Sequence, residues 1–178
     1  MIAVDTNVLL YAHRADSPFH ENAKRLVTAL AEGRPAWAIP WPCLHEFLAI
    51  VTHPRVFDPP TPLAGALDQL DAWLESPSVV VLSERDGYWP VLHRLLEAGR
   101  ITGPLVHDAR VAALCLLHGV RELWTADRDF TRFSGVAVFN PLLADAVHES
   151  VPAYGARRRA RAAAVRRTVR NQLAARHP

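Results

Sequence analysis

Four carboxylates far apart in the chain have the residue type and the positions expected of a metal site; they are Asp5, Glu46, Asp108 and Asp127. Asp5 follows the apolar start of the chain, and Asp127 closely follows the apolar segment 122–125. Both acids are therefore predicted to lie just beyond the carboxyl end of a strand. Because hard divalent cations prefer carboxylate oxygens, the pattern indicates a metal site at one edge of a sheet.

Glu46 and Asp108 are predicted to lie on helices. The residues three and four positions away from each of them are apolar. A helix that is apolar on nearly every side is predicted to be buried, and a carboxylate within it needs an ion pair, a hydrogen bond or a metal. Each acid alone fits a structural partner as well as a site. Together with the two strand-end acids, they favour a site.

Polar residues stand beside the strand-end acids. Thr6, Asn7 and Thr125 are suited to orienting carboxylates or coordinated waters, although ordinary turn hydrogen bonding explains them equally well. Asp129 fits the cap of a short turn better than a metal ligand. Asp127 is closer to the strand end and is the stronger candidate for direct metal contact, with Asp129 as the alternative.

The order of apolar segments predicts an α/β fold. Strands are predicted at residues 2–4, 36–39, 79–82, 122–125 and 136–139, all short and apolar as in strands buried on both faces. Helices are predicted over residues 17–33, 42–52, 61–75, 87–98 and 105–118, and no internal repeat is evident. The alternation implies a parallel sheet with right-handed crossovers, in which ligands bind beyond the carboxyl ends of the strands where the strand order reverses.

Composition limits the class of protein. The chain has 178 residues, half of them apolar, which fits one domain of ordinary size and excludes global disorder. Cys43 and Cys115 lie in apolar segments without metal-like or disulfide-like spacing, so buried thiols in a reducing cytosol are expected. The start of the chain lacks a secretory pattern, and no apolar run approaches about 20 residues. A soluble cytoplasmic protein without membrane contact is expected.

Four segments carry a family pattern: residues 4–12, residues 40–47 together with 52–57, residues 105–109 and residues 125–133. In order and spacing they resemble PIN-domain proteins, and more closely the VapC ribonuclease toxins of bacterial toxin–antitoxin pairs. The resemblance covers about residues 1–143. It implies a three-layer fold, with a central five-stranded parallel sheet flanked by helices and with the first and fourth strands adjacent.

The same resemblance implies the chemistry. Asp5, Glu46, Asp108 and Asp127 would form an acidic quartet that binds Mg²⁺, or Mn²⁺ in its place, with Asp5 and Asp108 as the most dependable ligands. The expected reaction is hydrolysis of RNA phosphodiester bonds, in which the metal lowers the pKa of the attacking water. A cognate antitoxin is the implied partner and a homodimer the implied assembly. No histidine is needed as a base, and His107 beside Asp108 is expected to be a surface or packing residue.

Other functions fit parts of the pattern. A phosphoaspartate enzyme also places an aspartate at a strand end, but its lysine is missing because the single lysine, Lys24, lies away from the strand ends. A noncatalytic PIN-like adaptor that binds RNA or protein is disfavoured by the presence of all four acids. A DNA-directed nuclease of the same wider fold stays open, although the toxin-like segments favour RNA.

The charge is divided between two regions, which we treat as a nuclease domain (residues 1–145) and an arginine-rich C-terminal extension (residues 146–178). After Glu149 there are eight arginines and no acid, so residues 1–149 hold 12 basic and 18 acidic residues. A thin apolar stripe runs through the extension, made of Ala162, Val165, Val169 and Leu173. It fits an RNA-holding arm, a partner-binding helix or a disordered tail.

Overall fold

The central sheet has five parallel strands in the order β3-β2-β1-β4-β5. They are β1 (Ile2–Val4), β2 (Trp37–Pro40), β3 (Val79–Leu82), β4 (Glu122–Trp124) and β5 (Val138–Phe139). The structure, a computed structural model, describes residues 1–143. The predicted arginine-rich extension therefore lies outside the described residues. Every predicted strand is found within two residues of its expected bounds.

The two inner strands that carry the site are β1 and β4. Ile2 pairs with Glu122 and Val4 with Trp124, so the first and fourth strands are adjacent as predicted. The strand order reverses between them, because β2 and β3 continue on one side and β5 on the other. Parallel sheets bind ligands at such a reversal, beyond the carboxyl ends of the strands. Asp5 and Thr125, the residues after these strands, stand at that point.

Six α-helices connect the strands within residues 1–143: α1 (Thr6–His13), α2 (His20–Glu32), α3 (Trp41–Val51), α4 (Leu63–Leu74), α5 (Tyr88–Gly99) and α6 (Leu105–Leu117). A short 3-10 helix (Arg128–Arg132) follows β4. Helix α1 packs against α2 and α5 against α6, while α3 contacts α1, α4 and α6. The predicted α/β fold with helices flanking a five-stranded parallel sheet is confirmed, and no helix in the described part could cross a membrane.

Helix α1 was not predicted. Its residues 8–12 are all buried, so it has no polar face along this stretch and shows no helical periodicity in the sequence. The predicted helix over residues 17–33 begins at His20 instead, because Ser17 and Pro18 belong to the turn between α1 and α2. The structure therefore has a buried helix, absent from the prediction, that begins directly after Asp5.

Two predictions of burial were wrong. Helix α3 is not buried on all sides, since Trp41, His45 and Ala49 form an exposed stripe at four-residue spacing. The strands β3 and β5 are edge strands and expose Val80 and Phe139, whereas all four residues of β2 are buried. The sequence predicted too much burial because several apolar side chains of these elements lie on the surface.

The core lies between the sheet and the helices over it. Trp37 and Phe47 are among its largest fully buried side chains. The ring of Phe47 meets the ring of Trp73 edge-on, with centroids 5.0 Å apart, and this contact joins α3 to α4. Helix α3, which carries Glu46, is thus fixed from below by the sheet and from the side by α4.

Candidate active site

Asp5 is the centre of the site. Its backbone N–H donates to the carbonyl oxygen of Trp124 at 3.0 Å, which extends the pairing of β1 and β4 by one residue. The residue is only 5 % exposed. A carboxylate so deeply buried must be held by donors or by a cation.

Three donors hold the Asp5 carboxylate. The Nδ2 of Asn7 and the Oγ1 of Thr125 both donate to its Oδ2, the latter at 2.7 Å. The thiol of Cys43 approaches Oδ1, with 3.6 Å between sulfur and oxygen. These donors come from α1, from the segment after β4 and from α3. Asn7 and Thr125, two of the predicted orienting residues, therefore both contact the Asp5 carboxylate.

A second set of bonds ties α1 to the segment after β4. The Oδ1 of Asn7 accepts from the N–H of Ala126 at 2.9 Å, and its Nδ2 donates to Thr125 Oγ1 at 2.8 Å. The same Thr125 oxygen accepts from the N–H of Asp127 at 3.0 Å. The network fixes both strand ends in one rigid unit, as groups supporting a metal ligand must do.

Glu46 is oriented from the same helix as Asn7. The Oγ1 of Thr6, a residue only 4 % exposed, donates to Glu46 Oε2 at 2.9 Å. Glu46 itself is half-buried rather than buried. Thr6, the third predicted orienting residue, therefore contacts a carboxylate, and Glu46 is held near the residue that follows Asp5.

Negative charge is concentrated around Asp5. Its pKa is raised from the ordinary 3.8 to about 6, mainly by burial and in smaller part by the nearby carboxylates of Glu46 and Asp127. The hydrogen bond from Thr125 opposes this rise. Converging carboxylates that disfavour their own ionisation are the arrangement that a cation relieves.

The cap of the turn after β4 is Asp127, whereas the sequence predicted Asp129. Asp127 is the residue that caps the 3-10 helix, since its Oδ1 accepts from the N–H of Asp129 at 2.9 Å. Asp129 lies within that helix, where its Oδ1 is 3.6 Å from Arg132 Nε. The prediction that Asp129 caps the turn was wrong. Capping occupies one oxygen of Asp127, and its charge still acts on Asp5.

Asp108 lies in the first turn of α6 and is half-buried. Cys115, seven residues later, is on the same face of that helix. The pKa of the Cys115 thiol is raised to about 12, by burial and in smaller part by the charge of Asp5, so Cys115 lies near Asp5. His107, by contrast, is exposed, as expected of a surface residue.

Both cysteines are buried free thiols, as the sequence predicted. The contact of Cys43 with Asp5 was not foreseen, although its spacing contained the signal. Cys43 precedes Glu46 by three residues, so the two share a face of α3. Burial and then the charge of Asp5 raise the pKa of the Cys43 thiol well above its ordinary value, so it stays protonated and can donate.

Thr125→Val is predicted to weaken the site while preserving side-chain shape. It removes the donor to Asp5 and the acceptor for Asn7 and for the N–H of Asp127. We expect kcat/KM for RNA cleavage to fall by about 10–100-fold, the usual effect of losing a group that orients a ligand. Thr28→Val, at an exposed position of α2, is the matched control. Equal activity of the two variants would contradict the orienting role.

Similarity to known proteins agrees with this geometry. The family model of the PIN domain matches residues 2–136, a range that includes all four predicted acids. Ribonuclease VapC48 of Mycobacterium tuberculosis is 34% identical over 137 residues, which is 77% of this chain and 94% of that protein. Ribonuclease VapC43 of the same species is 34% identical over 142 residues, or 80% of this chain and 96% of that protein.

Solved structures share the fold at lower identity. VapBC2 from Rickettsia felis, bound to a DNA fragment from its promoter, has a TM-score of 0.55 at 21% identity and covers 79% of this chain and 98% of that chain. VapC20 of Mycobacterium tuberculosis, described as a toxin that cleaves the Sarcin-Ricin loop, has a TM-score of 0.54 at 20% identity, covering 74% and 93%. The chain therefore belongs to the PIN-domain family and, within it, to the VapC ribonucleases of toxin–antitoxin pairs.

Proposed function

We propose that this VapC ribonuclease hydrolyses RNA phosphodiester bonds with Mg²⁺ held by Asp5 and Asp108 and supported by Glu46 and Asp127. The observation that supports this most strongly is the buried Asp5 carboxylate, whose pKa is raised to about 6 beside two further acids. A buried, ionised aspartate without a cation is unfavourable. The atoms of the four acids that could bind a cation are all carboxylate oxygens. This donor chemistry fits Mg²⁺, and Mn²⁺ as its substitute.

A Mg²⁺ ion does not require three protein ligands. Within residues 1–143, no three histidine, cysteine, aspartate or glutamate side chains are close enough together to enclose an ion. Mg²⁺ commonly binds through one or two carboxylates and completes its shell with water and substrate phosphate. An open shell of this kind leaves room for a phosphodiester.

The residues divide the work of hydrolysis. When bound, the ion supplies a water of lowered pKa and stabilises charge on the leaving oxygen. Thr125 and Asn7 hold Oδ2 of Asp5 in place, and Thr6 holds Oε2 of Glu46, so the carboxylates need little reorganisation. One oxygen of Asp127 accepts from the N–H of Asp129 and caps the 3-10 helix, and the charge of Asp127 adds to that of the site.

We further propose a cognate antitoxin as inhibitor, a homodimer as the assembly and the cytoplasm as the location. Several structural neighbours are complexes of a VapC toxin with its antitoxin, such as VapBC of Salmonella typhimurium bound to DNA. A toxin that is kept silent by a partner needs that partner in the same compartment. The names of the curated relatives favour RNA over DNA as substrate and favour a catalyst over an adaptor.

The test is cleavage of unstructured RNA, structured RNA and single-stranded DNA by the purified full chain. We expect RNA cleavage in Mg²⁺ or Mn²⁺, none in EDTA, and recovery when Mg²⁺ is restored in excess. Addition of the proposed cognate antitoxin is expected to abolish cleavage. Cleavage of DNA but not RNA would contradict RNA as the proposed substrate. Full activity in EDTA would contradict the proposed dependence on a divalent metal.

A pair of neighbouring acids tests the assignment of roles. Asp127→Asn keeps the oxygen that caps the 3-10 helix but removes the charge, so kcat/KM is expected to fall by about 10–100-fold. Asp129→Asn should stay close to wild type, because its partner Arg132 is largely exposed and such ion pairs contribute little. The reverse ranking would assign the metal contact to Asp129.

A further inference from the structure

A five-residue pattern, Trp-Pro-X-Leu-His, occurs twice in the chain, at residues 41–45 and 89–93. The prediction that the sequence has no internal repeat therefore misses this short one. One copy opens α3 and the other opens α5. In each copy the tryptophan lies against the histidine one turn later. The ring centroids are 5.5 Å apart in the first and 5.6 Å in the second.

The two copies differ in their ring geometry. The rings of Trp41 and His45 are stacked, with 27° between their planes. The rings of Trp89 and His93 meet edge-on, at 64°. Both tryptophans are exposed, Trp41 by 38% and Trp89 by 62%. Exposed tryptophan is unfavourable in water, so each copy is a candidate contact surface.

The first copy lies beside the carboxylates. Ala3 pairs with Ala38 between β1 and β2, which puts Pro40 level with Asp5 at the end of the sheet. Trp41 is the next residue after Pro40, and His45 directly precedes Glu46. Adjacent strands are about 4.8 Å apart, so the ring pair begins one strand away from Asp5.

A basic side chain also belongs to this surface. Arg110 donates to Glu84 Oε1 through Nε at 2.8 Å. The pKa of Glu84 is lowered by its own backbone N–H, by Arg110 and, more weakly, by His45. Arg110 is two residues from Asp108 on α6. His45 therefore lies near the Glu84–Arg110 ion pair, which joins the segment after β3 to α6, the helix that carries Asp108.

The second copy lies at the other end of α6. The turn before it places Gly87 against Leu117, and Arg85 donates to the Leu117 carbonyl oxygen at 2.8 Å. Leu117 is nine residues after Asp108, or roughly 14 Å along the helix axis. The same five-residue pattern thus occurs once beside the acids and once away from them.

We propose that the Trp41–His45 ring pair is a stacking platform for a nucleobase of the RNA substrate, next to the phosphate that is cleaved. The proposal rests on the ribonuclease function and specifies the substrate further. A base can stack on protein only when it has left its own stack, so the cleaved position lies in a single-stranded loop or end. Stacking also supplies attraction that does not depend on phosphate charge. Residues 1–149, with 18 acids against 12 bases, need such attraction.

The first test compares cleavage by variants of the two copies. Trp41→Ala is expected to lower kcat/KM for unstructured RNA by about 5–150-fold, since base stacking on an aromatic ring contributes 1–3 kcal/mol. Trp41→Phe should recover most of the loss, and Trp89→Ala should match wild type. Equal activity of Trp41→Ala and Trp89→Ala would overturn the platform.

The second test removes the base instead of the ring, which leaves the protein fold unchanged. RNAs of one sequence, each with a single abasic nucleotide, are cleaved by wild type and by Trp41→Ala. We expect one position beside the cleavage site where loss of the base slows wild type but not Trp41→Ala. Equal slowing of both proteins at every position would overturn the proposal.

A third measurement separates the platform from the catalytic function. A fluorescein-labelled unstructured oligoribonucleotide and its duplex are titrated with wild type, Trp41→Ala and Trp89→Ala in EDTA, where no cleavage occurs. Weaker binding of the single strand by Trp41→Ala alone supports the platform even if wild type cleaves no RNA in Mg²⁺, which would refute the proposed function. Cleavage in Mg²⁺ with identical binding by all three proteins refutes the platform alone. If Trp41→Ala loses only antitoxin binding, the surface serves a protein and the proposal fails.

Discussion

Asp5→Asn is expected to lower kcat/KM for RNA cleavage by at least about 100-fold, because the variant loses the most buried of the proposed metal ligands. Asparagine has the size of aspartate and keeps an oxygen that can accept from Asn7 and Thr125. Its amide nitrogen would replace Oδ1 and face the sulfur of Cys43. The substitution therefore removes the charge and the acceptor for the Cys43 thiol, while the hydrogen bonds from Asn7 and Thr125 stay in place.

The measurement is single-turnover cleavage of one RNA across a Mg²⁺ series, beside wild type. Asp68→Asn, at an exposed position of α4, makes the same chemical change away from the site and is the control. Far-UV circular dichroism should show that both variants are folded. Activity of Asp5→Asn comparable with that of Asp68→Asn would remove Asp5 from the mechanism.

The metal-free protein is expected to lose stability as the pH rises through the range where Asp5 ionises. The pKa of Asp5 is about 6 in the folded chain against an ordinary 3.8, so between these values the folded state binds the proton that the unfolded state has released. Stability falls with pH wherever the native state binds more protons. The cost is absent below about pH 4 and complete above pH 6, and it amounts to roughly 3 kcal/mol.

Asp5→Asn cannot ionise and should escape this cost. In EDTA, the difference in free energy of unfolding between variant and wild type is expected to shift in favour of the variant by roughly 3 kcal/mol from pH 4 to pH 7. Urea unfolding at each pH measures it, and the histidines common to both proteins cancel. Mg²⁺ at pH 7 should stabilise wild type more than the variant. If the free energies of unfolding of the two proteins in EDTA change with pH in parallel, the pKa of Asp5 is not raised in the folded chain.

The sequence contained enough information to predict the sheet and its acids. Strands such as β2 are short apolar runs bounded by turn residues, and the order of strands and helices restricts the topology to a parallel sheet. The carboxyl ends of adjacent strands must meet, which is why Asp5 and Asp127 were assigned to one edge. The role of Asp108 as a ligand stays a prediction, since it rests on the family pattern and on the face of α6.

Other features depend on packing that no local pattern encodes. Helix α1 is buried from Val8 to Ala12 and so lacks the polar face that signals a helix. The exposure of Trp41 follows from which side of α3 meets the sheet, and an apolar residue gives no sign of that side. The identity of the cap, Asp127 instead of Asp129, depends on where the 3-10 helix begins, and a local pattern predicts helix ends only to within one or two residues.

The bond between Thr125 and Asp5 joins residues 120 positions apart, and it sets a time at which the enzyme can first act. During synthesis, Asp5 emerges early, whereas its donor and Asp127 belong to the last part of the described domain. A nascent chain that ends before β4 has neither the strand beside β1 nor the second strand-end acid. Such contacts form only after the intervening chain has been made and folded. A nascent chain therefore becomes a working nuclease only after β4 and the segment that follows it have been synthesised.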